Sequence, residues 1–115
     1  MEKVSVIVPC RNEIDYIGNF LESLSKQDYP SSLMELILVD GISDDGTREY
    51  LDSIGCQGTF VLDNPMQQVS EALNLAIKKA SGDIIIRMDV HCVFPDDYIS
   101  TLVGYLSNNP KVGNV

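Results

Sequence analysis

The chain has 115 residues and a net charge of −9, from 8 basic and 17 acidic side chains. With 44% hydrophobic and 22% charged residues it matches a soluble globular domain with one packed core, which excludes wholesale disorder and fibrous repeats. The acidic balance and the lack of any Lys/Arg cluster exclude a phosphate-backbone binder, so no nucleic acid is expected as a partner.

No apolar run approaches the ~20 residues of a membrane helix, and Met1-Glu2-Lys3 lacks the basic-then-apolar start of a secretion signal. Cys10, Cys56 and Cys92 are odd in number and widely spaced, which fits reduced, mostly buried thiols better than a disulfide framework or a zinc ribbon. A cytoplasmic location is therefore expected.

Val4-Ser5-Val6-Ile7-Val8-Pro9 is a β-branched run closed by proline and predicts a buried strand. Ile14, Ile17, Phe20, Leu21 and Leu24 follow at spacings of three and four, predicting a helix from Glu13 to Lys26 that ends before Pro30. Leu36 to Val39 predicts the second strand, ending at Asp40. The polar stretch from Gly41 to Gly46 then opens a helix carrying Tyr50, Leu51 and Ile54. Gly55 and Gly58 bracket a turn, and Thr59 to Leu62 predicts the third strand. A helix follows whose apolar stripe is Val69, Ala72, Leu73, Ala76, Ile77 and Ala80, with Ser81-Gly82 as its stop signal. The fourth strand is predicted over Asp83 to Asp89. After Pro95 a last helix carries Ile99, Leu102, Val103 and Leu106, and Lys111 to Val115 reads as the start of a fifth strand.

Four alternations of strand and helix, with continuous apolar strands, predict an α/β class: a three-layer α/β/α, mostly parallel, Rossmann-like sheet. Ligands of such sheets bind at the carboxyl ends of the strands, where strand order reverses. Acidic and amide groups gather at those ends here: Asn12 and Glu13 after the first strand, Asp40 to Asp45 after the second, and Asp89 and His91 after the fourth. The first turn lacks Gly-x-Gly-x-x-Gly, so a pyrophosphate seated directly on that helix N-terminus is disfavoured. On an extended chain Asp89 and His91 would lie on the same side, about 6 to 7 Å apart. A carboxylate with an imidazole suits Mn2+ or Mg2+ whose shell is completed by substrate phosphates and water. Glu13 and Asp40 can accept hydrogen bonds from a base or a ribose. Each feature also has a plain structural reading, since strand-end aspartates often cap turns and helices.

Val4 to Pro9 with Arg11-Asn12-Glu13, then Leu38-Val39-Asp40-Gly41 with Ser43, Asp45, Gly46 and Thr47, then Ala72-Leu73-Asn74, Ala80-Ser81-Gly82-Asp83 and Arg87-x-Asp89-x-His91 together resemble the N-terminal half of a family 2 inverting glycosyltransferase. The pattern is particularly similar to the succinoglycan-biosynthesis type, with Asp-x-His where most relatives carry Asp-x-Asp. The resemblance implies a GT-A fold and transfer of a sugar from a nucleotide-diphosphate donor, a UDP-sugar first, to a saccharide or lipid-linked acceptor in polysaccharide synthesis. It implies nucleotide-sugar contacts at Pro9, Asn12, Glu13, Asp40, Ser43, Asp45, Arg87 and Asp89, and metal ligation at Asp89 and His91. Arg87 would pair with Asp89 or meet a phosphate.

The family's catalytic base belongs to the acceptor-binding half and has no counterpart here; Asp96 and Asp97 read as the start of the last helix. Residues 1–115 are thus expected to be the donor-binding part of a longer domain, inactive alone, with the inner face of the membrane as the alternative location of the full-length protein. An open sheet edge leaves room for a homodimer. The competing readings are a receiver-type signalling module and a nucleotide-binding module without catalysis. The receiver lacks support, because Cys10-Arg11-Asn12 stands where it needs an acidic pair.

Overall fold

A nearly continuous β-branched run lets the first strand bury both of its faces, and the other elements assemble around it. The computed structural model describes residues 2–54, 58–92 and 94–108, without the side chains of 107 and 108. The elements are β1 (Val4–Cys10), α1 (Ile14–Ser25), β2 (Met34–Asp40), α2 (Thr47–Ile54), β3 (Thr59–Asp63), α3 (Val69–Lys79), β4 (Ile84–Arg87) and α4 (Tyr98–Asn108), with a 3-10 turn at Ser31–Leu33. The sheet has the order β3-β2-β1-β4 and every pairing is parallel. Val4, Val6 and Val8 of β1 face a core shared with Ile17 and Phe20 of α1, Leu51 of α2 and Ile99 and Val103 of α4. Ile7 faces the opposite way and meets Ile37, Val39 and the two alanines Ala72 and Ala76 of α3. The three-layer α/β expectation holds. The predicted fifth strand at Lys111 to Val115, like Gly55 and Cys56, lies outside the described residues.

Three details depart from the sequence reading. The α3 stripe is narrower than its periodicity implies: Ala72 and Ala76 are buried, whereas Val69 and Ile77 are about half exposed. Small side chains let the helix sit close to the sheet, and that close approach lifts the flanking β-branched residues off it.

Gly82 does not cap α3. The helix ends at Lys79, and Ala80 leaves it in an extended conformation. Gly82 is instead pressed against β1, where an added Cβ would lie 2.7 Å from both the Ser5 nitrogen and its Oγ.

The fourth strand stops at Arg87 rather than Asp89. Its register runs from Val4↔Ile84 to Ile7↔Arg87, and Met88 N–H still donates to the Ile7 carbonyl at 3.1 Å. Beyond that point the chain turns, with Cys92 N–H donating to the Asp89 carbonyl at 3.2 Å. Val90, buried in the core, holds the turn down. Asp89 and His91 therefore sit on a turn, not on an extended strand.

The N-terminus of α4 is closed from a distance. Gln27, just past α1, accepts from Ile99 N–H through Oε1 at 3.0 Å and donates through Nε2 to the Pro95 carbonyl at 2.7 Å. Gln27 is buried, so removing it strands both backbone groups. Gln27→Ala is expected to cost about 2 kcal/mol, measured as a lower urea midpoint at unchanged slope.

Candidate functional site

Strand order reverses between β1 and β4, and a cleft of about 440 Å3 opens at their carboxyl ends. The turns after β1 and β2 frame it by bonding to each other. Asn12 N–H donates to Ser43 Oγ at 2.9 Å, and Asn12 Oδ1 accepts from Asp44 N–H at 2.9 Å. Asp40 is buried and accepts from both the N–H and the hydroxyl of Ser43. Asp45 accepts from Thr47 N–H at 3.0 Å, from the Thr47 hydroxyl, and from Ile14 N–H at 3.3 Å, so one carboxylate serves the first turns of two helices. The Thr47 hydroxyl contact leads in lowering the Asp45 pKa. Asn12 stands at φ 55, a left-handed conformation asparagine tolerates. Ile42 at φ 59 is a β-branched residue in the same region, a strain of about 1–3 kcal/mol that the stitched loops hold in place.

Of the sequence-predicted residues, Pro9, Glu13, Arg87, Asp89 and His91 line the cleft, whereas Asn12, Asp40, Ser43 and Asp45 build its rim. Arg87 donates through Nε and Nη2 to Asp89 Oδ1, both at 3.2 Å. His91 Nε2 lies 2.8 Å from Glu13 Oε1, and the Tyr16 ring packs against the imidazole at 4.7 Å between centroids. Glu13 Oε2 is buried without a hydrogen-bond partner.

The sequence reading gave no role to Arg11 or Asn64. Arg11 donates to the Gly41 carbonyl at 3.0 Å and lines the cleft. Asn64 is buried, with Nδ2 donating to the Gln68 carbonyl at 2.8 Å and Oδ1 left unpartnered. The only sequence signal for Asn64 was its place before Pro65, which reads as a helix lead-in.

Among the described residues no three His, Cys, Asp or Glu side chains gather into a metal site. The candidate pair Asp89 and His91 would fit an ion that takes the rest of its shell from phosphate and water. A protein-only cage does not fit.

Cys10 is buried against Val39, and its thiol pKa is pushed up to about 12 by burial first and then by the Asp40 and Glu13 charges, with Arg48 opposing. Cys92 is exposed. Iodoacetamide at pH about 8 is expected to alkylate Cys92 while sparing Cys10 in the folded chain, as read by peptide mass spectrometry. Cys56 lies outside the described residues.

A doubly wound α/β domain with its cleft at the switch point belongs to the ligand-binding class that such sheets define. Residues 5–115 match the family model for glycosyl transferase family 2, and the chain belongs to that family. It is 36% identical over 102 residues to the succinoglycan biosynthesis protein ExoA of Rhizobium meliloti, covering 85% of this chain and 31% of that protein. It is 34% identical over 104 residues to the poly(ribitol-phosphate) beta-N-acetylglucosaminyltransferase TarS of Staphylococcus aureus, covering 87% of this chain and 17% of that one. The mannosyltransferase PcManGT of Pyrobaculum calidifontis, solved with GDP-Man and Mn2+, superposes with a TM-score of 0.83 at 28% identity over 92% of this chain and 32% of its own. S. aureus TarS residues 1–349, solved with UDP, give 0.79 at 27% identity, again over 92% of this chain and 32% of theirs. The chain thus spans about a third or less of the length of these relatives. No helix among the described residues is long and apolar enough to cross a membrane.

Proposed function

We propose that this chain is the donor-binding portion of an inverting glycosyltransferase that uses a nucleoside-diphosphate sugar, a UDP-sugar first, in polysaccharide synthesis. The observation that carries this reading is the cleft between β1 and β4, where Arg87, Asp89 and His91 converge on the carboxyl end of β1. Asp89 and His91 would hold Mn2+ or Mg2+, which neutralises the diphosphate and stabilises it as a leaving group.

In the free cleft Arg87 balances the Asp89 charge. Once Asp89 serves a cation, the planar guanidinium is released to meet a phosphate, whose oxygens its fork of N–H donors can bind in pairs. Glu13 Oε2 and Asn64 Oδ1, both acceptors without partners, favour a ligand that brings N–H or O–H donors, as a base and a ribose do. Asp40 shapes the same pocket by clamping Ser43, which in turn holds Asn12. No residue of this chain is assigned as catalytic base, so on this reading the chain binds donor without transferring sugar. The reduced-thiol pattern of its cysteines agrees with work in the cytoplasm.

Calorimetric titration of UDP into the chain, with Mn2+ and then with excess EDTA, tests this. Binding that appears with Mn2+ and vanishes with EDTA is the expected result. Equal heats in the two buffers, or none in either, would remove the donor-site reading.

A further inference from the structure

Glu13 stands at the entry to α1, and its side chain is only 13% exposed. Its backbone is held on both sides: the N–H donates to Thr47 Oγ1 at 2.9 Å, and the carbonyl accepts from Tyr16 and Ile17 N–H at 2.9 and 2.8 Å. The carboxylate is therefore placed before any ligand arrives. Its Oε1 meets His91 Nε2 at 2.8 Å. A carboxylate has no proton to give, so the ring nitrogen is the donor in that contact. Tyr16, one turn into the same helix, packs against the same ring at an interplanar angle of 63°. The imidazole is otherwise 60% exposed and is anchored through these two contacts.

We propose that Glu13 is a positioning residue for His91: it keeps a proton on Nε2 and so leaves Nδ1 as the nitrogen whose lone pair meets a divalent cation. Metal-binding imidazoles are commonly oriented in this way, by a carboxylate on the nitrogen that does not bind metal. This deepens the donor-site reading and rests on it, since it takes His91 as a ligand. It also explains why a histidine can serve at a turn: an imidazole that exposed would rotate freely without a partner on its far nitrogen, and ordering it during binding would cost affinity.

His91 is the sole histidine in the chain, so its ring nitrogens can be followed without assignment ambiguity. Long-range 1H–15N spectra of the 15N-labelled chain would be recorded at an alkaline pH where the ring spectrum no longer changes with pH. The expected wild-type spectrum shows a single form protonated at Nε2, with that N–H proton protected enough from exchange to be seen. Glu13→Ala is expected to lose the N–H signal and to give the mixed forms of a free imidazole, while Glu13→Gln, whose amide oxygen still accepts, restores the single form. Adding UDP with Zn2+ as a diamagnetic probe should move Nδ1 and leave the proton on Nε2. Glu13→Ala should weaken Mn2+-dependent UDP binding about 10- to 100-fold.

A proton on Nδ1 in the wild type, a Glu13→Ala spectrum identical to it, or a metal response at Nε2 overturns the assignment. A ring that ignores Zn2+ and UDP while Asp89→Ala still abolishes metal-dependent binding also overturns it, with the donor-site reading intact. Absence of metal-dependent binding in the wild type defeats that reading instead.

Discussion

Asp89→Ala is expected to bind UDP with the same affinity in Mn2+ and in EDTA, whereas the parent chain binds at least about 100-fold more tightly with the metal. The size follows from the donor count. On the proposed reading two residues ligate the ion, Asp89 and His91, and removing a carboxylate from so small a set sets the loss at or above the 10- to 100-fold typical of supporting residues. Structural damage cannot mimic this result. Asp89 pairs with Arg87 at a surface where both side chains are more than 40% exposed, and such pairs contribute about 0–1 kcal/mol. The melting temperature of Asp89→Ala should therefore stay within a few degrees of the parent. A variant that melts normally and keeps its Mn2+ dependence would remove Asp89 from the metal site.

The opposite end of the sheet carries the largest stability prediction. Glu35 is buried, yet it accepts from the Ser5 hydroxyl at 2.6 Å and from Ser81 N–H and hydroxyl, each at 2.9 Å, with Lys3 Nζ at 3.9 Å. Gly82 N–H completes the cluster by donating to Ser5 Oγ at 2.8 Å, and Asp83 accepts from Lys3 N–H at 3.1 Å. The stretch Ala80 to Asp83 is therefore a latch that ties the start of β4 to β1. Gly82→Ala must displace the β1 backbone, because its Cβ would stand 2.7 Å from the Ser5 nitrogen. We expect a loss of about 3 kcal/mol and a melting temperature lower by more than about 10 °C. Glu35→Ala should cost about 3 kcal/mol by stranding the Ser5 and Ser81 donors. Because the two sites share Ser5, the double variant should lose less than the sum.

Glu35 also sets a pH dependence. Burial alone would raise its pKa, but the bonds from Ser5 and Ser81, helped by Lys3, outweigh burial and hold it below the ordinary value of 4.5. A carboxyl depressed in the folded state stabilises the fold above the unfolded pKa, and that stability is lost as pH falls through the folded value. Chemical denaturation between pH 6 and about 3 should show a steeper decline for the parent than for Glu35→Ala.

The fold was legible because its signals are local. Val4 to Pro9, Leu36 to Val39 and Ile84 to Ile86 are apolar runs too short for helices, and the 3.6-residue spacing from Ile14 to Leu24 admits little else. The convergence of Glu13, Asp89 and His91 on one cleft was legible for the same reason, since parallel strands deliver their carboxyl ends to one edge whatever their order.

What needed the tertiary structure is how each polar group is used, since a carboxylate cap and a carboxylate ligand have the same chemistry in sequence. Asn12 bonds to Ser43 and to Asp44 N–H, and Asp45 accepts from Ile14 N–H, across two turns some 30 residues apart, a pairing no local pattern encodes. Gly82 reads as a helix stop until β1 is packed against it. Asp89-x-His91 reads as extended until β4 leaves β1 at Arg87 and the chain turns. The sequence by itself determined the layered α/β architecture and the sheet edge at which Glu13, Asp89 and His91 gather, because these follow from periodicity and strand polarity. Only the tertiary structure decided that Glu13 faces His91, that Arg87 pairs with Asp89 and that Asn64, beside the same cleft, keeps a buried oxygen without a partner, because each depends on how the strand ends and turns pack.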